Sequence, residues 1–70
     1  MEEKTFIMTL GQFLKFQDFV SSGGEAKMRI QEFEILINGE KDNRRGRKLY
    51  AGDQVEINGD HFELILEDEN

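Results

Sequence analysis

Two Asn-Gly pairs, Asn38-Gly39 and Asn58-Gly59, constrain this chain more than any other feature in it. Both residues of such a pair tolerate the positive φ of a type I′ turn, so each pair between apolar runs predicts a tight hairpin. The first follows Glu34-Ile35-Leu36-Ile37, a run apolar on both faces and therefore expected at the centre of a sheet. The second joins Gln54-Val55-Glu56-Ile57 to a strand over His61-Phe62-Glu63-Leu64-Ile65-Leu66. Lys48-Leu49-Tyr50 reads as a further short strand, and Ala51-Gly52-Asp53 as the turn that leaves it. The chain has no Pro, which fits short elements joined by Gly- and Asn-based turns.

The N-terminal half has a different period. Lys4 to Met8 is short and β-leaning, with Phe6 and Met8 on one face. Thr9-Leu10-Gly11-Gln12 has the form of a capping box, so a helix is expected to start at Leu10. Leu10, Phe13, Leu14 and Gln17 then share one face, Lys15 points away from it, and Phe16 falls off the stripe. Asp18-Phe19-Val20-Ser21 reads as a connector, and Ser22-Gly23-Gly24-Glu25 as a second capping box. The helix it opens aligns Ala26, Ile30 and Phe33, with Lys27 and Arg29 on opposite flanks. The order predicts a single α+β domain over 1–70: two helices packed on a small, mainly antiparallel sheet of hairpin-linked strands, with residues 67–70 as a frayed acidic tail.

Composition removes most chemistries. A chain of 70 residues that is 37% hydrophobic can bury one core but no enclosed catalytic cleft. Without Cys there are no disulfides, thiolate metal sites or thiol nucleophiles. No apolar run approaches the roughly 20 residues of a membrane helix, and no export signal is visible, so the expected setting is cytoplasmic. The lone His61, beside Asp60 and Glu63, reads as a solvent-facing strand residue, while Ser21 and Ser22 are absorbed by capping. The carboxylates have no metal-ligand spacing. No catalytic residue, cofactor or metal is therefore expected. Gly23-Gly24-Glu25-Ala26-Lys27 lacks the spacing of a phosphate loop. Its exposed N–H groups leave two readings open, phosphate contact or simple capping with Glu25 opposing an anion.

Charge is unevenly distributed. The formal net charge is -6, which by itself opposes nucleic-acid binding. Yet residues 15–48 carry eight basic and six acidic side chains, whereas residues 49–70 carry seven acids and no Lys or Arg. Lys41-Asp42-Asn43-Arg44-Arg45-Gly46-Arg47-Lys48 sets five bases against one acid. Arg offers phosphate a bidentate geometry that Lys does not, so this loop is the expected anion-binding element. Phe13, Phe16, Phe19 and Phe33 read first as core, with Phe16 the one whose direction disagrees with its chemistry.

Leu10-Gly11-Gln12-Phe13-Leu14-Lys15, Ser22-Gly23-Gly24-Glu25-Ala26-Lys27, Ile35-Leu36-Ile37-Asn38-Gly39-Glu40, Asn43-Arg44-Arg45-Gly46-Arg47-Lys48-Leu49 and Gly52-Asp53-Gln54-Val55-Glu56-Ile57 occur in that order. Together they resemble the S4 RNA-binding domain, and in particular its small stand-alone bacterial members of the YaaA and YbcJ group. The match covers most of residues 9–57. The resemblance implies a non-catalytic protein that binds structured RNA, ribosomal RNA or ribosomal particles above all, in ribosome assembly or maturation; a monomer is expected. It implies RNA contacts from Lys15, Lys27, Arg44, Arg45, Arg47 and Lys48. The family usually has Gly where this chain has Phe33; Phe in the left-handed conformation would cost about 1–2 kcal/mol, so either the turn changes shape or burial offsets strain. Phe33 is expected to be buried against Leu14 or Phe13, with the second helix ending at or just before it. A rival resemblance, carried by Ile37-Asn38-Gly39-Glu40 and Gly52-Asp53-Gln54-Val55-Glu56-Ile57, is to the ubiquitin-like sulfur carriers. Those act through a terminal Gly-Gly, whereas this chain ends Asp68-Glu69-Asn70, which leaves a protein-interaction module without carrier chemistry as the alternative.

Overall fold

Both Asn-Gly pairs turn as their chemistry demands: Asn38 and Gly39 lie at φ 54° and 85°, Asn58 and Gly59 at 51° and 92°. The computed structural model describes residues 4–65; Leu66 and the acidic tail at 67–70 lie outside them. In chain order the elements are β1 (Phe6–Thr9), α1 (Leu10–Phe16), α2 (Gly23–Arg29), a 3-10 turn (Ile30–Glu32), β2 (Ile35–Ile37), β3 (Glu40–Lys41), β4 (Lys48–Tyr50), β5 (Gln54–Ile57) and β6 (Asp60–Glu63). No helix among the described residues is long and apolar enough to cross a membrane.

The α+β class holds, but the strands form two antiparallel sheets where one was expected. One is the pair β1-β4 and the other is ordered β3-β2-β5-β6. The cause is the segment 42–47, which leaves the sheet after β3 and crosses to the start of α1. β4 therefore emerges beside β1, with Met8 opposite Leu49 and Thr9 opposite Lys48. A register shift between Phe6 and Met8 breaks the strict alternation expected there. Phe6 is exposed and meets Tyr50 edge-on at 6.1 Å, while Ile7 and Met8 are both partly buried.

The core is built from the helices and both sheets. Leu10, Phe13 and Leu14 from α1 and Ala26 from α2 join Ile30, Ile35, Ile37, Leu49, Val55 and Ile57. β2 is central, as its two-faced apolar run requires, and pairs with β5 through Ile35↔Ile57 and Ile37↔Val55. The two Asn residues also brace the sheet. Asn38 Nδ2 donates to the buried Asp53 Oδ1 at 3.1 Å and its Oδ1 accepts from Gln54 N at 2.9 Å. Asn58 Oδ1 accepts from Glu34 N at 2.9 Å.

Phe33 resolves the departure from the family pattern. α2 tightens into the 3-10 turn, and Phe33 follows at φ -90° and ψ 146° in extended conformation. No left-handed residue is needed, so the turn has changed shape and carries no strain. Phe33 is buried at 7% exposure, as expected. It joins the core cluster that holds Phe13 and Leu14, and its ring meets Phe19 edge-on at 5.8 Å. The connector explains this: Asp18 takes φ 65°, and Phe19 folds back with its N–H donating to Leu14 O at 2.9 Å. The Arg29 guanidinium covers the Phe33 ring from 5.3 Å.

Candidate nucleic-acid interface

The basic loop is anchored at both ends of the helical layer. At the start of α1 the first N–H groups have no partner within the helix. Leu10 N donates to Arg47 O at 2.7 Å and Gly11 N to Arg45 O at 2.9 Å, so loop carbonyls take up two of those donors. Thr9 Oγ1 accepts from Gln12 N, and Gln12 Oε1 from Thr9 N, completing the expected capping box. Gly11 is where the loop presses closest: a Cβ there would stand 2.6 Å from Arg45 Cγ and 3.2 Å from its carbonyl oxygen. At the other end, Asn43 Nδ2 donates to Ile30 O at 2.9 Å and Phe33 O at 2.8 Å, closing the end of the 3-10 turn. Gly11→Ala is expected to leave the fold standing but shift the Arg45 stem, which would show as chemical-shift changes concentrated at 44–47. Unchanged shifts across that loop would refute the close approach.

Asp42, the loop's one acid, organises its arginines. Arg44 donates to it from Nε at 3.0 Å, from Nη2 at 2.9 Å and from its backbone N at 3.1 Å; Arg47 Nε donates at 3.1 Å. Side-chain hydrogen bonds from Arg44 outweigh the effect of burial and hold the Asp42 carboxyl down at about 2. The same contact raises the Arg44 guanidinium above its ordinary value. A carboxylate whose pKa is depressed in the folded state stabilises the fold above its unfolded pKa, about 3.9, and loses that contribution as pH falls through the folded value. The stability advantage of the native chain over Asp42→Asn is therefore expected to be constant near neutral pH and to shrink from about pH 4 downward. Urea unfolding across that range measures it; an advantage undiminished at pH 2 would exclude the pairing.

The six basic residues singled out from the sequence are not equivalent. Lys15 and Arg45 line one cleft of about 370 Å³ together with Thr9, Gly11, Gln12, Gly23, Ala26 and Gly46. No carboxylate lines that cleft, and neither Lys15 nor Arg45 makes an ion pair among the described residues. The loop thus lies against the start of α1, with Gly23 of α2 across the cleft. Lys48 is exposed on β4 opposite Thr9. Lys27 is exposed on α2 but does not line the cleft. Arg44 and Arg47 are already engaged by Asp42, with side chains 76% and 25% exposed, so only Arg44 presents most of its surface to solvent.

The start of α2 favours capping. Ser22 Oγ accepts from Glu25 N at 3.2 Å. Glu25 does not close the expected box on Ser22 but accepts from Ser21 N at 2.7 Å and from Arg29 at 2.7 Å. The Ser21 N–H, first, and then Arg29 hold the Glu25 carboxyl below its ordinary value, so a fixed negative charge stands in the first turn. Arg29 reaches Glu25 and Glu32 and is structural. His61 is exposed on β6 opposite Glu56. Sequence reasoning missed Gly11, Asp42 and Asn43. Only Asp42, the single acid in a basic run, left a visible signal.

Two short helices, antiparallel sheets and a basic loop braced against the first helix agree with one class of small module. The S4 domain family model matches residues 2–65, and the chain belongs to that family. Over 55 residues it is 62% identical to the "Probable ribosome maturation protein RlbA" of Bacillus subtilis (strain 168), a match covering 79% of this chain and 78% of that protein. No solved structure matches the chain.

Proposed function

We propose that the protein is a non-catalytic, single-domain module that binds structured RNA, specifically ribosomal RNA, and acts in ribosome maturation. The observation that carries this reading is the cleft lined by Lys15 and Arg45 at the loop-to-helix junction, two basic side chains with no ion pair among the described residues and no acid among the lining residues. The Bacillus relative's name supports the ribosomal setting. Lys48, Lys27 and the solvent-facing Arg44 extend the basic surface around the cleft. With a net charge of -6, long-range attraction to RNA is weak, so affinity has to come from close contacts on this side of the molecule. Sedimentation of the tagged protein with ribosomal particles tests the reading. Association is expected at low salt and release at high salt; protein that stays at the top of the gradient at low salt would refute it.

A further inference from the structure

Phe16 is not accounted for by the core. It closes α1 yet is 71% exposed, while Leu10, Phe13 and Leu14 on the same helix are buried. It is not without a setting. Ile7, Met8, Gln12, Lys15 and Phe16 line a shallow hollow of about 370 Å³ in which three apolar side chains stand beside Gln12 and a single charged residue, Lys15. Gln12 and Lys15 also line the cleft that holds Arg45. The two depressions therefore adjoin, and both carry positive charge only. Gln12 is bound to Thr9 through Oε1, and its Nε2 makes no hydrogen bond among the described residues.

We infer that this hollow takes an unpaired nucleobase of the bound RNA, stacked on the Phe16 ring, with the adjoining phosphate held by Lys15. The inference rests on the RNA-binding reading and extends it from phosphate contact to base contact. On its Lys15 side the charge pattern fits this occupant; on the other side Ile7, Met8 and Phe16 continue into a hollow of about 470 Å³ that carries Glu63. A strand whose phosphates follow the cleft past Arg45 reaches Lys15 and then, one residue along α1, a planar apolar surface. Stacking tolerates any base because every base has a π-face, while the Gln12 Nε2 amide group offers its N–H donors to ring acceptors. A second copy of this chain would bring a surplus of acids but no reason for the apolar hollow to adjoin the basic cleft.

The chain has no Trp, so Phe16→Trp introduces a sole indole reporter without removing the aromatic surface. Titrating this variant with deproteinised ribosomal RNA is expected to quench the indole as the base stacks on it. Phe16→Ala is expected to weaken binding by about 5- to 150-fold, the range for losing one stacked base. It should leave the melting temperature and the salt slope unchanged, because Phe16 is exposed and uncharged. If Phe16→Ala binds as wild type and the indole is not quenched, while Lys15→Glu abolishes binding, the base-stacking inference falls and the RNA reading stands. If wild-type protein binds no ribosomal RNA, both fall. A concentration-dependent blue shift of the indole without RNA assigns the hollow to a second copy and overturns the inference.

Discussion

Replacing Lys15 and Arg45 together by Glu is expected to abolish association with ribosomal particles without unfolding the protein. Both side chains are exposed, and neither forms an ion pair among the described residues, so the fold loses no electrostatic partner. Glu keeps the Cγ that lies nearest Gly11, and the Arg45 carbonyl that accepts from Gly11 N is backbone, so the loop-to-helix junction is expected to persist. Stability is expected to change by about 0.5 kcal/mol or less, as for surface substitutions away from special features. Binding is another matter. If about four phosphates are neutralised by Lys15, Arg45, Lys48 and Lys27, the log–log salt slope lies near roughly -3 to -4. Reversing two of these charges removes about half of that term and adds repulsion in a molecule already at -6. Arg44→Glu with Arg45→Glu is expected to act in the same direction. There the loss of the Arg44 contact to Asp42 also loosens the loop, so the Lys15/Arg45 pair is the cleaner test. A folded Lys15/Arg45 variant that still co-sediments at wild-type levels across the salt range would end the proposal for this cleft.

What the sequence disclosed was local. Thr9 and Gln12 are three residues apart and cap α1 as read; Asn38-Gly39 and Asn58-Gly59 turn where they stand. Such features depend on a few neighbouring dihedrals, so composition and spacing suffice. The loop's chemistry was also visible, because five bases in eight residues stand out in an acidic chain. Its geometry was not. That Arg45 and Arg47 would meet α1 through their carbonyl oxygens, and not through their charges, depends on packing between segments more than thirty residues apart. Asn43, whose amide closes the end of the 3-10 turn on residues 13 and 10 positions earlier, is likewise placed by packing and not by spacing. The division into two sheets follows from the loop's excursion to α1, which no strand propensity records. Phe33 shows the intermediate case: burial could be read from its place on the Ala26–Ile30 stripe, but its partner depended on the left-handed Asp18.

Phe33→Ala is expected to destabilise the domain by about 3–5 kcal/mol, the usual cost of removing a buried phenyl ring together with the cavity it leaves. Small domains have little stability in reserve, often near the low end of roughly 5–15 kcal/mol, so this one substitution can consume most of it. The ring's loss strips the edge contact from Phe19 and the surface over which Arg29 lies. Phe33→Leu keeps apolar volume and is expected to cost less. Phe33→Gly, which restores the residue usual in the family, distinguishes the two accounts of this turn. Were Phe33 strained in a left-handed conformation, Gly would recover part of the loss relative to Ala. At φ -90° there is no strain to relieve, and Gly adds only unfolded-state entropy, so it is expected to be worse than Ala by about 0.5–1 kcal/mol. Urea unfolding of the three variants measures the order directly. An Ala variant within about 1 kcal/mol of wild type would remove Phe33 from the core, and a Gly variant more stable than Ala would return the turn to the left-handed form.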